Sequence, residues 1–335
     1  PFGGVVPGNV YLVGGGDPVL RTADVADPQQ YPAFNTTALE PLADQLVALG
    51  VTAIEGDVVG DGARYDDEFW LDEWGPDIIR IEAGPYDALL VNDGLIGPSS
   101  PGNYGLDPSR TAAATFVDLL LARGITVTGG AGSGPTPTDV ELTTLAFIES
   151  LPLTDVLVEM LHTSDDNTAE LVLKEIGFAA SGQGTRQAGL DAVRATLDSW
   201  ALPTGTLQLT DGSGLSRNNR TSCEVLVGLL ATSPVASQLV DLLPAAGRDG
   251  TLAEQFLGSV AEGSLVAKTG TLTDVKALSG EQPGSDGRPV EFSLVLNAAG
   301  ADDPDVYLPA WDALVELVDT YPVEVEPDIA TFEPR

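Results

Sequence analysis

The sequence predicts an α+β protein with two domains, and three observations support this prediction. Up to about residue 145, short alternating strands mix with two amphipathic helical runs. From about residue 146 helices dominate, and two β-type runs then appear at 264–272 and 290–298, before a closing helical run at 306–321. The 335 residues, 43% of them hydrophobic, are enough for two domains with separate cores. We expect the second part to be helices packed on an antiparallel sheet.

The first part opens with an apolar strand at 9–14, which ends in a glycine-rich turn. Helical periodicity predicts a helix over 37–50 and another over 110–124, each ended by a glycine. Two short strands around Gly-Asp turns are expected within 51–65, and a further strand at 87–93. The run ITVTG predicts one more strand, and GGAGSGPTPT a loop at 129–138 that precedes no phosphate-cradling helix.

The second part contains a series of apolar helical runs: LPLTDVLVEMLH, NTAELVLKEIG, GLDAVRATLDSWA, SCEVLVGLLATS and VASQLVDLLP. No internal repeat is present. The last residues are rich in proline and acidic side chains, which favours a loose or extended tail. We therefore predict a first domain region over 1–145, a second domain over 146–325 and a tail over 326–335.

The chain carries 50 acidic and 15 basic residues, a formal charge of −35. Such a charge repels nucleic acid and anionic membranes, so we expect no nucleic-acid partner. A solubilising acidic surface, as in proteins adapted to salt, explains the charge most simply. An acidic ion-binding protein is the alternative, but the sequence has no aspartate-rich calcium loop with a closing glutamate.

One histidine, His162, and one cysteine, Cys223, limit the chemistry. A single histidine excludes HExxH and histidine-rich metal centres, and we expect no metal and no cofactor. The lone cysteine cannot form an internal disulfide, and its apolar helical run predicts a buried structural thiol. A Ser-His-Asp triad would need His162 beside Ser164 and is not expected. No apolar run is long enough to span a bilayer, and the first residues lack the basic start of a signal peptide.

The four residues Lys268-Thr269-Gly270-Thr271 interrupt an apolar strand. A lysine in such a strand is unfavourable unless its ammonium has a partner, and a glycine leaves one face open to something that approaches closely. Thr269 and Thr271 share one face, and together with Lys268 they are a candidate grip for a carboxylate. An edge strand with a snorkelling lysine is the alternative interpretation.

A second polar cluster, Ser164-Asp165-Asp166-Asn167, lies between two helical runs. Ser164 or Asp165 is expected to cap the second helix, with Glu170 nearby as in a capping box. Capping accounts for one or two of the four polar residues. The whole cluster is therefore also a candidate functional site.

A third polar stretch begins at Asp211-Gly212-Ser213-Gly214, which is the composition of a turn. Ser213 is not in a G-x-S-x-G elbow, because position 211 is aspartate rather than glycine. We do not expect it to be a nucleophile.

Taken in order, seven blocks resemble the class C low-molecular-weight penicillin-binding proteins, which are D-alanyl-D-alanine carboxypeptidases and endopeptidases with an inserted domain. The resemblance extends from about residue 9 to about residue 298. The resemblance implies a penicillin-binding-protein/β-lactamase-like transpeptidase domain over 146–325, with an inserted α+β domain region over 1–145. The blocks are GNVYLVGGGDPVL, EGDVVGDGARYDDEFW, LVNDG, SDDNTAELVLKEIG, DGSGLSRNNR, AAGRDGTLAEQF and AKTGTLTDVKALSG.

The resemblance also implies roles for individual residues. Lys268, Thr269 and Gly270 match the family's Lys-Thr-Gly on the strand beside the active site. Thr269 and Thr271 would hold the terminal carboxylate of a D-Ala-D-Ala stem peptide, and the backbone N–H of Thr271 would form half of the oxyanion hole. Ser164 matches the serine that relays a proton towards the leaving amine. The implied reaction is acyl transfer through a serine ester followed by hydrolysis, and β-lactams would trap the ester.

The resemblance further implies the partners and the location. The expected partner is a peptidoglycan stem peptide. If the nucleophile is present, β-lactams are expected to bind as well. The expected location is exported: periplasmic, extracellular or associated with the cell wall. The oligomeric state is left open.

The family's Ser-x-x-Lys motif, which provides the nucleophile and the base, is missing from this sequence. The chain has only three lysines, and the residues three positions before them are Leu171, Leu265 and Thr273. In the family this motif precedes the GNVYLVGGGDP block. We therefore expect the nucleophile to lie on a segment outside this chain, and a catalytically inactive relative that binds peptidoglycan peptides or a partner is the alternative.

The second difference from the family lies at Asp166, where the family's Ser-x-Asn motif has asparagine. An amide donates a hydrogen bond, whereas a carboxylate only accepts one. Asp166 would then lose a contact to the substrate's carbonyl, unless the loop shifts and Asn167 takes that role. Lys268 is the candidate cation to offset the added charge.

Overall fold

The computed structural model describes residues 3–25, 30–96 and 104–322. By packing, the chain divides into two compact units, Pro1–Ser222 and Cys223–Arg335. The domain boundary predicted between residues 145 and 146 is based on the change from mixed strands and helices to mainly helical runs along the sequence. It stays a prediction. The predicted tail at 326–335 lies outside the described residues.

The first unit contains short parallel strands in three sheets. One sheet has the order β1-β5-β7, the second β2-β6-β8, and the third pairs β3 with β4. The strands are β1 Val5–Val6, β2 Val10–Val13, β3 Leu20–Arg21, β4 Thr37–Ala38, β5 Ala53–Ile54, β6 Val58–Asp61, β7 Thr126–Val127 and β8 Ala131–Ser133.

Two helices pack with these strands around one core, α1 (Glu40–Ala48) and α2 (Pro108–Ala122). The α2 helix begins at Asp107, whose carboxylate accepts the N–H of Arg110 at 2.9 Å, followed by proline at the first helical position. Residues from strands and helices alike are fully buried in this core, including Leu39, Ile54 and Leu120. Burial of these apolar side chains is the main stabilising contribution to this part of the unit.

The remaining helices of the first unit are α3 (Leu153–Thr163), α4 (Asp166–Ser181) and α5 (Arg186–Ser199). Helices α4 and α5 approach closely because glycines face each other. A Cβ added at Gly189 would lie 2.1 Å from the carbonyl oxygen of Leu173, and one at Gly177 would lie 2.7 Å from the nitrogen of Gly189. No larger residue fits at either position without moving a helix.

The second unit contains an antiparallel sheet in the order β11-β10-β9. Its core joins Ala267, Leu278 and Phe292 from the three strands to Trp311 and Val315 from the last helix. The elements are α6 Cys223–Ala231, α7 Ala236–Asp241, β9 Val266–Leu272, β10 Val275–Pro283, β11 Pro289–Asn297 and α8 Pro304–Asp319. Because β10 is central, β9 is an edge strand of this sheet within the described residues.

Most predicted elements are confirmed, and the differences have local causes. The strand predicted at 87–93 is wrong: the segment is buried, and Asn92–Gly94 forms a 3-10 turn. The Asn92 amide oxygen accepts the N–H of Thr22 at 2.8 Å, and Asp93 pairs with Arg21. Both residues have positive φ, because these side-chain contacts outweigh strand propensity.

Three smaller differences concern other segments. Strand β10 was not predicted, because Lys276 and Gly280 interrupt its apolar pattern. The loop predicted at 129–138 contains the short strand β8. Cys223 is exposed, so the prediction of a buried thiol is wrong. Cys223 is the first residue of α6, and the buried face of that helix starts at Val225.

Among the described residues, no helix combines the length and apolar composition that crossing a bilayer requires.

Candidate functional site

The Ser164–Asn167 cluster forms the junction between α3 and α4. Ser164 ends α3 in the left-handed conformation, with φ 62° and ψ 45°. Asp165 caps α4: its carboxylate accepts the N–H of Thr168 at 3.0 Å and the hydroxyl of Thr168 at 2.8 Å. Asp165 is therefore the N-cap of α4, and Ser164 is the C-cap of α3, with its backbone N–H donating to the carbonyl of Met160.

Asn167 has a structural contact of its own. Its side chain is buried, and its amide oxygen accepts the backbone N–H of Gly84 at 2.7 Å. Asp166 is the first residue of α4 and is half-buried, so its carboxylate lies where the helix dipole favours negative charge. The Asn167 side chain is therefore held inside the first unit.

Glu170 does not complete a capping box, so that prediction is wrong. Its carboxylate is buried and accepts two consecutive backbone N–H groups, those of Gly212 at 2.9 Å and Ser213 at 2.7 Å. Burial raises the pKa of Glu170 to about 7, and the neighbouring charge of Asp211 adds to the shift. Glu170 therefore holds the Gly-Ser-Gly turn against α4, one helical turn beyond Asp166.

Asp211 holds the same turn from its other side. Its carboxylate accepts the N–H of Gly214 at 2.9 Å, the N–H of Ser216 at 2.6 Å and the indole N–H of Trp74 at 2.9 Å. The predicted turn is thus confirmed. Sequence reasoning missed that two buried carboxylates hold this turn, and the only signal available was the pairing of an aspartate with Gly-Ser-Gly.

Lys174 is a buried lysine on α4 that sequence reasoning did not single out as functional. Its side chain is 1% exposed, and its ammonium donates to the carboxylate of Asp66 at 2.6 Å and to the carbonyl of Glu68 at 2.7 Å. The ammonium also lies 5.1 Å from the centre of the Tyr86 ring. This lysine fastens α4 to the acidic 66–74 segment of the first unit and has a structural role.

In the second unit, the Lys268–Thr271 stretch lies on the edge strand β9. The ammonium of Lys268 donates to the carbonyl of Thr269 at 2.8 Å, and the hydroxyl of Thr269 is 2.8 Å from that of Thr251. Thr271 is exposed. Alternation along a strand puts Thr269 and Thr271 on one face, as predicted, and Lys268 on the other.

Gly270 has room around it. A Cβ added there would contact only the Cβ of Ala277, at an ordinary distance of 3.5 Å. By contrast, a Cβ added at Gly280 on the next strand would lie 2.0 Å from the carbonyl oxygen of Val266. Packing within the described residues therefore explains the glycine at 280 but not the one at 270, which is consistent with close approach by a ligand.

The Ser164–Asn167 junction belongs to the first unit and the Lys268–Thr271 stretch to the second. Their predicted catalytic and substrate-binding roles stay predictions.

Comparison with known proteins identifies relatives that match most of the chain. The sequence profile of the D-Ala-D-Ala carboxypeptidase 3 (S13) family matches residues 3–105 and 104–320. The D-alanyl-D-alanine carboxypeptidase of Actinomadura sp. is 29% identical over 88% of this chain and 67% of its own length. Carboxypeptidase DacB of Mycolicibacterium smegmatis is 32% identical over 88% of this chain and 64% of its own length.

The fold has solved counterparts as well. The crystal structure of penicillin binding protein 4 (dacB) from Haemophilus influenzae matches with a TM-score of 0.78 and 20% identity, covering 95% of this chain and 83% of that one. The penicillin-binding-protein fold that the sequence predicted is thereby confirmed. The chain spans about two thirds of the length of the curated relatives it matches. On the profile match over nearly its full length, the chain belongs to the D-Ala-D-Ala carboxypeptidase 3 (S13) family.

Proposed function

We propose that this chain provides the peptide-recognition part of a serine-type D-Ala-D-Ala carboxypeptidase or endopeptidase, which acts on peptidoglycan stem peptides at the cell envelope. The observation that carries the proposal is the edge strand β9, where Lys268-Thr269-Gly270-Thr271 combines an exposed hydroxyl with a glycine that packing does not require. An extended peptide can add to such an edge, so that backbone contacts align it and the side chains beside Gly270 recognise its end.

In this proposal the hydroxyls of Thr269 and Thr271 hold the terminal carboxylate, and the backbone N–H of Thr271 stabilises the oxyanion. Ser164 relays the proton to the leaving amine. Asp166, rather than Asn167, takes the third position of the family's Ser-x-Asn motif, because the Asn167 side chain is buried and the N–H of Gly84 fixes its amide there. The serine that forms the acyl-enzyme belongs to a Ser-x-x-Lys motif that this sequence does not contain.

Gly270→Ala tests the recognition strand. We expect the variant to fold like the wild type, since its new methyl group contacts only Ala277 at 3.5 Å, and to lose peptide affinity by at least about tenfold because the methyl group blocks close approach. Calorimetric titration with an N-acetylated tripeptide ending in D-Ala-D-Ala measures the affinity, and thermal unfolding checks the fold.

Gly132→Ala is the matched control. It lies on a short strand of the first unit, where an added Cβ meets only a methyl of Val59 at 3.9 Å. Peptide affinity is expected to stay unchanged in this variant. Equal affinity of the wild type and Gly270→Ala for the peptide would show that the peptide does not approach β9 closely at Gly270.

Labelling with a fluorescent penicillin tests the chemistry. The 335-residue chain is expected to form no covalent adduct, because no serine stands three positions before any of its three lysines. A longer form of the protein that includes a Ser-x-x-Lys segment is expected to be labelled at that serine. A band on the present chain alone would mean that another residue is the nucleophile.

A second function is favoured by Asp166 and by the missing motif, namely a non-hydrolysing relative that binds peptidoglycan peptides or a partner. The carboxylate at 166 cannot donate the hydrogen bond that an asparagine would. Peptide titration and penicillin labelling together distinguish the two functions. Peptide binding by the chain, without labelling of the longer form, would establish the binding function and exclude the enzyme.

A further inference from the structure

The face of the sheet that carries the two threonines has its own lysine. In the β9–β10 register Thr271 lies directly opposite Lys276, and Thr269 opposite Leu278. Directly opposite residues project to the same side of a sheet. We call this side, made by Ala267, Thr269 and Thr271 of β9 with Lys276 and Leu278 of β10, the threonine face. Lys268 projects from the other side.

The threonine face is covered along most of its length. Ala267 and Leu278 are fully buried in the core with Trp311 of α8. At the end of the face, however, Thr271 is exposed and Lys276 is half-buried. A carboxylate that reaches the hydroxyl of Thr271 from solvent would therefore meet Lys276 as the nearest cation on that face.

Contacts hold the ammonium of Lys276 in place. It donates to the hydroxyl oxygen of Thr271 at 2.8 Å and lies 4.3 Å from the centre of the Tyr307 ring and 5.2 Å from that of Trp311. Because the ammonium is the donor in this bond, the hydroxyl proton of Thr271 is left to bond another acceptor. Both groups can thus donate to the same anion.

The charge of Lys276 is poorly compensated within the protein. Among the described residues no carboxylate forms an ion pair with it, although Asp302 attracts it at longer range. Partial burial lowers its pKa, the expected result for an ammonium that has lost water without gaining an anion. The hydroxyl of Thr271 and the two aromatic rings replace part of the lost water, and an anion that arrives from solvent would complete the surroundings of the ammonium.

We propose that Lys276 is the cationic residue that binds the C-terminal carboxylate of the peptide, side by side with the hydroxyl of Thr271. This proposal rests on the proposed function and makes it more specific. Lys276 determines that the ligand ends in a free carboxylate, while Lys268 serves the opposite face of β9. A neutral C-terminus would leave the Lys276 ammonium without its anion.

The test compares two peptides on the 335-residue chain by calorimetry: an N-acetylated tripeptide ending in D-Ala-D-Ala, and the same peptide as its C-terminal carboxamide. Lys276→Met is expected to weaken binding of the free acid by roughly 10- to 100-fold and to leave binding of the carboxamide unchanged. Lys276→Gln, which keeps a donor to Thr271 but not the charge, is expected to show the same selective loss.

Arg288→Met is the control for general electrostatics. Arg288 is an exposed cation of the same unit, paired with Asp286 in the turn between β10 and β11. Its loss is expected to change affinity for the free acid by less than about twofold, because a distant exposed charge is screened.

The outcomes separate the two proposals. If the wild type binds the free acid but Lys276→Met and Lys276→Gln bind it equally well, or lose both peptides alike, the role of Lys276 is overturned and the proposed function stands. If the wild type binds neither peptide, the proposed function itself fails and the assignment of Lys276 fails with it.

Discussion

Lys174→Met is expected to lower the free energy of unfolding of the first unit by about 1–3 kcal/mol, the usual cost of leaving acceptors without their donor. The cost is below that of a fully buried ion pair, because the Asp66 side chain is 38% exposed and water can solvate it. The substitution removes the donor to the Asp66 carboxylate and to the carbonyls of Asp66 and Glu68. Methionine fills much of the same volume but leaves these oxygens without that partner. It also removes the cation 5.1 Å from the ring of Tyr86.

Urea denaturation followed by tryptophan fluorescence measures this loss. Three of the four tryptophans, Trp70, Trp74 and Trp200, belong to the first unit. Arg123→Met is the matched control, since Arg123 pairs with the exposed carboxylate of Asp44 in the same unit. An exposed pair contributes about 0–1 kcal/mol. A loss of less than about 1 kcal/mol in Lys174→Met would contradict the structural role of the buried lysine.

The second large effect is a loss of stability as the pH rises. Burial raises the pKa of Asp87 to about 6 and that of Glu170 to about 7, from 3.8 and 4.5. A carboxyl group with a raised pKa in the folded state stabilises the protein fully below its unfolded pKa, and this stabilisation is lost as the pH rises through the folded pKa. At 1.36 kcal/mol per pKa unit, ionisation of each group lowers the free energy of unfolding by about 3 kcal/mol between pH 4 and pH 8.

Equilibrium unfolding between pH 4.5 and pH 8 tests this expectation. Asp87→Asn and Glu170→Gln are each expected to flatten the pH dependence, since neither amide ionises. Asp87 accepts hydrogen bonds from Ser109 and from the N–H of Ala88, and the amide oxygen of asparagine can replace one of them. Asp61 and Glu175, whose pKa values are lowered, stay ionised in this range and do not reverse the trend.

General repulsion among acidic groups acts in the same direction, so salt is the control. At 1 M salt the Debye length is about 3 Å, which screens exposed charges far more than buried ones. The pH dependence from Asp87 and Glu170 is therefore expected to persist at 1 M salt and to disappear in the double variant. If the stability of the wild type at 1 M salt does not change with pH, the destabilisation expected from ionisation of Asp87 and Glu170 is refuted.

Local patterns predicted the helices well because their ends are determined by nearby residues. Asp107 caps α2, and glycines follow α1 and α2, as the sequence indicates. The strand that carries Lys268 was predicted because an apolar run flanks the Lys-Thr-Gly. These signals depend on contacts within a few positions, which a single sequence displays directly.

Predictions failed where distant residues determine the local conformation. The apolar segment before Asn92 has strand propensity, but Asn92 bonds Thr22, which is 70 positions away. Glu170 was assigned to a local cap and instead bonds the N–H of Gly212, 42 positions away. The exposure of Cys223 depends on which side of α6 packs, and its own neighbours do not reveal this.

By itself, the sequence determined the family, the α+β class and the residue types of the recognition strand, because ordered motifs and local periodicity are properties of the chain alone. Only the tertiary structure decided which groups meet. It buries Lys174 against Asp66, places Glu170 beneath the Gly212–Ser213 turn and brings the ammonium of Lys276 to the hydroxyl of Thr271. Strand register and helix packing set these distances, and no pattern in a single sequence contains them.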